Sequence, residues 1–266
     1  MDSSKLIFLG TAGDTTTVNK QLRHSGGIIF HYGNNQIHLD PGPGSLAQYR
    51  NAKLNPRNTI ALVATNNSLR ACGELNAVVS AMTHDGMDNR GVLIASRSII
   101  QGTENENPIL WKRYQSYLER NIALSVGERV GINEVNFHAL NSKNNDPTSF
   151  ALRIQTPMYS ITYTSDTMYQ QNIVSQYENT DILIVNCENH YSDQKNQRLN
   201  LTEVTRIINE IYPNLVILTG FGVKMLDADP VFTAREVQRE TGVQVIAAYD
   251  GLEINPSQYK GTHTQY

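Results

Sequence analysis

The order of apolar and polar positions predicts strands first. Lys5 to Leu9, Gly26 to Tyr32, Gln36 to Asp40 and Thr59 to Ala64 are short apolar runs bounded by turn residues, as buried strands are. Asn34-Asn35, between Phe30-His31-Tyr32 and Ile37-His38-Leu39, suits a tight hairpin because asparagine tolerates positive φ, and that register sets His31 beside His38. Helical spacing follows at Gly44 to Lys53, Glu74 to Met82 and Pro108 to Arg120, the last from the recurrence of Leu110, Trp111, Tyr114 and Leu118. A second series of strands covers Val135 to Leu140, Phe150 to Gln155, Tyr159 to Thr164, Ile182 to Asn186 and Leu215 to Thr219. Between the last two, Leu201 to Tyr212 places Val204, Ile207, Ile208 and Ile211 on one helix face. Asp229-Pro230 supplies a cap and a first helical residue for a helix to about Glu240, and Val243 to Ala248 reads as a final strand.

No linker, charge block or low-complexity tract divides the chain, so residues 1–266 read as one domain. Strand-rich halves that each carry helices imply an α/β architecture, two sheets packed face to face with helices outside. A net charge of −3 lacks the basic footprint of phosphate-backbone binding, which argues against a nucleic-acid partner. Charged residues make up 18% of the chain, below the roughly 25% of an average domain, so little repulsion opposes self-association. Cys72 and Cys187 are too few for a disulfide framework or a thiolate metal site and read as buried free thiols. The opening MDSSKLIFLGTAGD lacks a signal-peptide core and no run reaches membrane-span length, so the expectation is a cytoplasmic chain with no membrane partner.

The ordered motifs carry a resemblance. LIFLGTAGD, HLDPGPGS at His38 to Ser45, and a strand running into a polar loop and helix at Val63 to Met82 resemble the first half of metallo-β-lactamase-fold hydrolases. Ser149 to Thr156, TYTSDT at Thr162 to Thr167, DILIVNCENH at Asp181 to His190, VILTGFGVKML at Val216 to Leu226 and VIAAYDGLEI at Val245 to Ile254 resemble the second half. The similarity spans nearly the whole chain and is nearest to archaeal-type members by the tRNase Z branch. It implies an αββα sandwich of two mixed sheets.

In that family the strand-to-helix loop bears a His-x-His-x-Asp-His type motif, which holds two divalent metals on one turn. Here the resemblance sets the two first histidines on Asn66 and Ser68, the aspartate on Arg70 and the last histidine on Ala71. The next family histidine falls on Asn144 and the final one on Gly220; only Asp166, the family's metal-bridging aspartate, is kept. His24, His31, His38, His84, His138, His190 and His263 include no pair spaced as ligands on one turn. Alanine and glycine bring no donor, asparagine binds transition metals poorly, and arginine brings a positive charge, so neither a metal nor another cofactor is expected. An unpaired buried Asp166 would be costly. Arg70 is therefore expected to occupy the metal volume and pair with Asp166, with Asn66, Ser68 and Asn144 hydrogen-bonding around it.

The remaining candidates have simpler readings. Asp40 reads as a structural turn aspartate, His84 and Asp85 as a loop and helix cap, His190 as a loop histidine, and Cys187 as a buried thiol without a histidine beside it. Three functions remain open. The leading one is a non-catalytic derivative kept for protein binding or self-assembly, as a homo-oligomer or with a protein partner. The second is a hydrolase or phosphodiesterase whose metal is held by atypical ligands such as Asp40, His84, Asp85 and Asp166. The third is a small-anion sensor using Arg70, Asn66, Ser68 and Asn144. The tail, Lys260 to Tyr266, has no apolar periodicity and is expected to be mobile unless it packs on a neighbour.

Overall fold

Alternation along the strands sets the layers of this computed structural model, which describes residues 4–191 and 198–261. In β1 (Lys5–Phe8), Leu6 and Phe8 enter one hydrophobic cluster while Ile7 enters another. The sheet it belongs to continues with β2 (Ile28–Tyr32), β3 (Asn35–Leu39), β4 (Thr59–Ala64), β5 (Val92–Ala95) and β6 (Arg120–Ala123). The second sheet contains β7 (Arg129–Ile132), β8 (Val135–Asn141), β9 (Phe150–Gln155), β10 (Ser160–Tyr163), β11 (Ile182–Asn186), β12 (Leu215–Thr219) and β13 (Val245–Ala247). A short β14 (Glu253–Ile254) returns to the first sheet beside β1. Each sheet has seven strands and is mixed: β2–β3 is antiparallel and β3–β4–β5–β6 parallel, while β7 to β10 are antiparallel and β10 to β13 parallel.

Three apolar clusters show how the sheets are covered. Phe8, Phe30 and Val63 from one sheet meet Phe137, Ile161, Ile184 and Ile217 from the other in the central layer. The alternate residues Leu183, Val185, Val216 and Leu218 turn outward onto α8 (Leu201–Ile211) and α10 (Pro230–Thr241). On the far side Leu62 and Leu93 pack under α4 (Leu75–Thr83). The helices before α4 are α1 (Thr15–Asn19), α2 (Ser45–Asn51) and α3 (Leu69–Cys72). Those after it are α5 (Arg97–Gln101), α6 (Lys112–Gln115), α7 (Gln171–Val174), then α8, α9 (Val223–Asp227) and α10. The result is the αββα sandwich of two mixed sheets. No helix among the described residues is long and apolar enough to cross a membrane.

Local chemistry explains most boundaries. Asn200 and Glu203 form a reciprocal capping box at the start of α8, and Asp229 accepts from the backbone N–H of Val231 and Phe232 ahead of Pro230 in α10. Two expectations need correction. The β2–β3 turn is Gly33–Asn34 rather than Asn34-Asn35: Gly33 takes the left-handed φ of +57°, so Tyr32 pairs with Asn35 and His31 faces Gln36, with His38 opposite Ile29. The helix expected over Pro108 to Arg120 is only Lys112–Gln115. The Gln115 side-chain amide donates to the Leu110 carbonyl and the Asn121 amide to the Gln115 carbonyl, taking the acceptors a longer helix would use. The last residues of the tail, 262–266, which include His263, lie outside the described residues; Gly261 donates its backbone N–H to Asp181 at 2.7 Å.

Candidate functional site

The site forms where strand ends from both sheets converge. β3 ends at Asp40, β4 runs into Thr65 and Asn66, β10 into Ser165 and Asp166, β11 ends in Asn186, and β12 leads to Gly220. Carboxyl ends of strands are where open α/β folds place their ligands. Asp40 and Ser165 both take left-handed backbone angles, with φ of 51° and 55°, turning the chain sharply as it leaves its strand.

Asp40 is a structural tie. It is buried and accepts from the backbone N–H of Thr65 (2.8 Å), the Thr65 hydroxyl and the Tyr163 hydroxyl (2.9 Å). Burial pushes its carboxyl up to about 6, with Arg70, Thr65 and Tyr163 pulling the other way. The Thr65 hydroxyl also lies 2.5 Å from that of Ser165, so this group bridges the two sheets.

Arg70 grips Asp166 along one edge, with Nη2 2.7 Å from Oδ1 and Nε 3.3 Å from Oδ2. The side chains are 14% and 9% exposed, a low-dielectric setting in which an unpaired charge would be expensive. Asn186 adds an amide donor to Asp166 Oδ1 at 2.9 Å. Burial opposes ionisation of Asp166, but the neighbouring Arg70 and Arg198 and these hydrogen bonds outweigh it and hold the carboxyl below its usual range.

The expected companions of Arg70 serve other partners. Asn66 donates to the hydroxyls of Thr65 and Ser165 and accepts from the Ser68 backbone N–H. Ser68 caps α3 by accepting from Ala71 N–H, and Asn144 donates to the backbone carbonyl of Asp166 at 2.8 Å. Ala71 is buried beneath the turn. Gly220 has φ of +65°, and a Cβ there would meet Asn186 Cγ at 2.8 Å, leaving a histidine side chain no room.

These residues do not fit a pair of metal ions. Arg70 is a permanent cation lying against the one carboxylate of the expected set, and Ala71 and Gly220 supply no donor. Among the described residues no group of three or more His, Cys, Asp and Glu is placed to hold a metal ion. The alternative set of Asp40, His84, Asp85 and Asp166 is not brought together: His84 closes the C-terminus of α4, and the exposed Asp85 pairs with Arg113 at 2.6 Å. His38 is buried, bonded to the Gly26 carbonyl and to Tyr49, and burial lowers it to about 4. His190 stacks edge-to-face on Tyr191, with ring centroids 4.1 Å apart. Cys72 and Cys187 are free and buried, and burial pushes both thiols up to about 12.

Sequence reasoning missed Asn186 and Tyr163. For Asn186 the signal was a polar residue closing the otherwise apolar β11, whereas β10, Ser-Ile-Thr-Tyr, alternates polar and apolar positions and gave no such mark for Tyr163. It also missed Asp146. Asp146 is buried and accepts from Ser96, Ser98, Thr148 and the Asn67 backbone N–H, fixing the loop that carries Asn66.

Several known proteins are similar to this chain. An uncharacterized protein of Methanocaldococcus jannaschii is 28% identical over 252 residues, covering 94% of each chain. The metallo-beta-lactamase fold protein YhfI from Bacillus subtilis superposes with a TM-score of 0.78 at 19% identity, over 96% of this chain and 99% of that one. A diphosphatase of the PhnP family gives 0.70 at 14%, over 96% and 97%, and the short form of human tRNase Z 0.64 at 12%, over 94% and 98%. No family model matches the chain. Its two seven-stranded mixed sheets, their covering helices and these superpositions establish that the chain has the metallo-β-lactamase fold.

Proposed function

We propose that this chain is a non-catalytic protein of the metallo-β-lactamase fold that acts by binding, to a protein partner or to further copies of itself. The observation that supports this reading is the Arg70–Asp166 pair, which sets a guanidinium against the carboxylate that would otherwise bridge two metals. A fold can keep its scaffold while its site changes chemistry. Self-association draws support from the weak surface charge and from a row of aromatic rings, Trp111, Tyr114 and Tyr117, with exposed Met87 one residue beyond the Gly86 that faces Tyr117. A metal-dependent hydrolase with atypical ligands has less support, because its carboxylates and imidazole are spread over separate elements.

Two measurements on one purified sample test the reading. Turnover of bis(p-nitrophenyl) phosphate with added zinc or manganese is expected to stay at the buffer rate, and light scattering after size exclusion is expected to show an oligomer. Metal-stimulated turnover that is lost in Asp166→Asn would overturn the non-catalytic reading, and a strict monomer at all concentrations would overturn self-assembly.

A further inference from the structure

The outer face of the second sheet changes character along β7, β8 and β9. Phe137, Ala139, Leu152 and Ile154 point into the central layer, and the outward Leu140 and Ala151 are covered by Ile173, Val174 and Tyr177. Further along the same strands the outward positions are polar and form two rows in register. Gly131, Asn136 and Gln155 make one row, all three exposed. Arg129, His138 and Arg153 make the other, Arg129 exposed and its two neighbours half-buried.

Adjacent strands lie about 4.8 Å apart, so this second row sets three basic groups on a line about 10 Å long. Like charges directly opposite one another on a sheet are destabilising. None of the three forms an ion pair among the described residues, and the side chains of Arg129 and His138 make no hydrogen bond there. Arg153 donates only to neutral acceptors, Nη2 to the carbonyls of Gln176 (2.8 Å) and Glu178 (2.6 Å) and Nε to the Thr162 hydroxyl (3.4 Å). Glu128, next to Arg129 in the chain, is committed to the Ser125 backbone N–H at 2.7 Å. Burial and the two guanidiniums hold the His138 imidazole below its ordinary value, and burial and Arg129 lower Arg153, with no carboxylate pulling the other way.

We propose that the outer face of β7, β8 and β9 docks an acidic segment of a partner protein, its carboxylates set against Arg129, His138 and Arg153. Carboxylates between these groups would turn a row of repulsions into a row of attractions. A nucleic-acid strand fits less well, because neither outward row contains an aromatic ring for a base to stack on. The inference rests on the reading of this chain as a binding protein and gives that reading a surface and a partner chemistry.

Fluorescence anisotropy on the full chain tests it with a labelled eight-residue Glu-Ser repeat, the matching Gln-Ser repeat and an eight-nucleotide oligouridylate. The Glu-Ser peptide is expected to bind, more weakly as salt rises, and to shift the ring signals of His138 in the NMR spectrum, while the Gln-Ser peptide does not bind. Arg129→Gln is expected to weaken the peptide by about two- to fivefold, the worth of one exposed ion pair, and Arg129→Glu to abolish binding. The urea midpoint of Arg129→Gln should equal or exceed that of wild type, since a like charge opposite His138 is removed. A lower midpoint would show that the chain already offsets the row and would overturn the proposal. So would absence of Glu-Ser binding, equal binding by both Arg129 variants and wild type, tighter binding of oligouridylate than of peptide, or an oligomer that Arg129→Glu dissociates without any peptide binding. Each of these results overturns the surface alone; the non-catalytic reading falls only if metal-stimulated turnover is found.

Discussion

The Arg70 guanidinium meets the Asp166 carboxylate side-on, with Nη2 2.7 Å from Oδ1, and so ties the turn after β4 in one sheet to the end of β10 in the other. Removing one member strands the other as a buried charge. Arg70→Leu is expected to cost about 3–5 kcal/mol in urea denaturation, whereas Arg70→Leu combined with Asp166→Leu should recover most of that loss. A double variant as unstable as the single one would show that the pair contributes more than mutual neutralisation.

Stability between about pH 4 and 6 should reflect two opposed buried groups. In the folded chain Asp40 keeps its proton up to about 6, while the unfolded chain releases it near 3.8, so this residue makes stability fall as pH rises through that window. His38 stays neutral in the fold down to about 4, while the unfolded chain takes up a proton below 6.5, so its contribution rises with pH over nearly the same window. His38→Gln removes only the second effect. The stability difference, wild type minus variant, is expected to grow as pH rises from 4 to 6.5, and a difference that is flat or shrinks would contradict the burial of a neutral His38. Asp166, whose carboxyl is held low, adds stability that is present above its ordinary value of 3.8 and lost only on further acidification.

The fold was legible in the chain because strand alternation and helix caps are local. Thr59–Ala64, Phe150–Gln155, Ile182–Asn186 and Leu215–Thr219 fall where the apolar runs place them, since each strand sends alternate residues into two separate apolar layers. The partnership of Arg70 with Asp166 was legible through charge, since a buried carboxylate without a metal requires a cation. The remaining contacts were not, because they are set by register. Asn66 reaches Ser165 across the sheets and Ser68 caps α3, while the second partner of Asp166 is Asn186, on the neighbouring strand. His31 and His38 were misplaced by a one-residue change in the turn, which Gly33 decides through its φ.

Gly220 holds a position that a larger residue cannot occupy. Gly220→Ala is expected to lower stability by about 1–3 kcal/mol, from the left-handed backbone and from the contact with Asn186. Thermal denaturation of Gly220→Ala with and without Asn186→Ala separates the two contributions. Equal losses in both backgrounds would assign the whole cost to the backbone.

Cys72 and Cys187 should be inert in the native state. With both thiols pushed up to about 12, little thiolate exists at pH 8, and Ellman's reagent is expected to titrate neither until denaturant is added. Rapid native labelling of either would contradict their burial.

The central claim is that a guanidinium stands where this fold otherwise collects metal ligands. It is tested most directly by elemental analysis of protein expressed in medium supplemented with zinc and manganese and purified without chelator. The account predicts no stoichiometric metal in wild type; about two ions per chain, lost in Asp166→Asn, would contradict it.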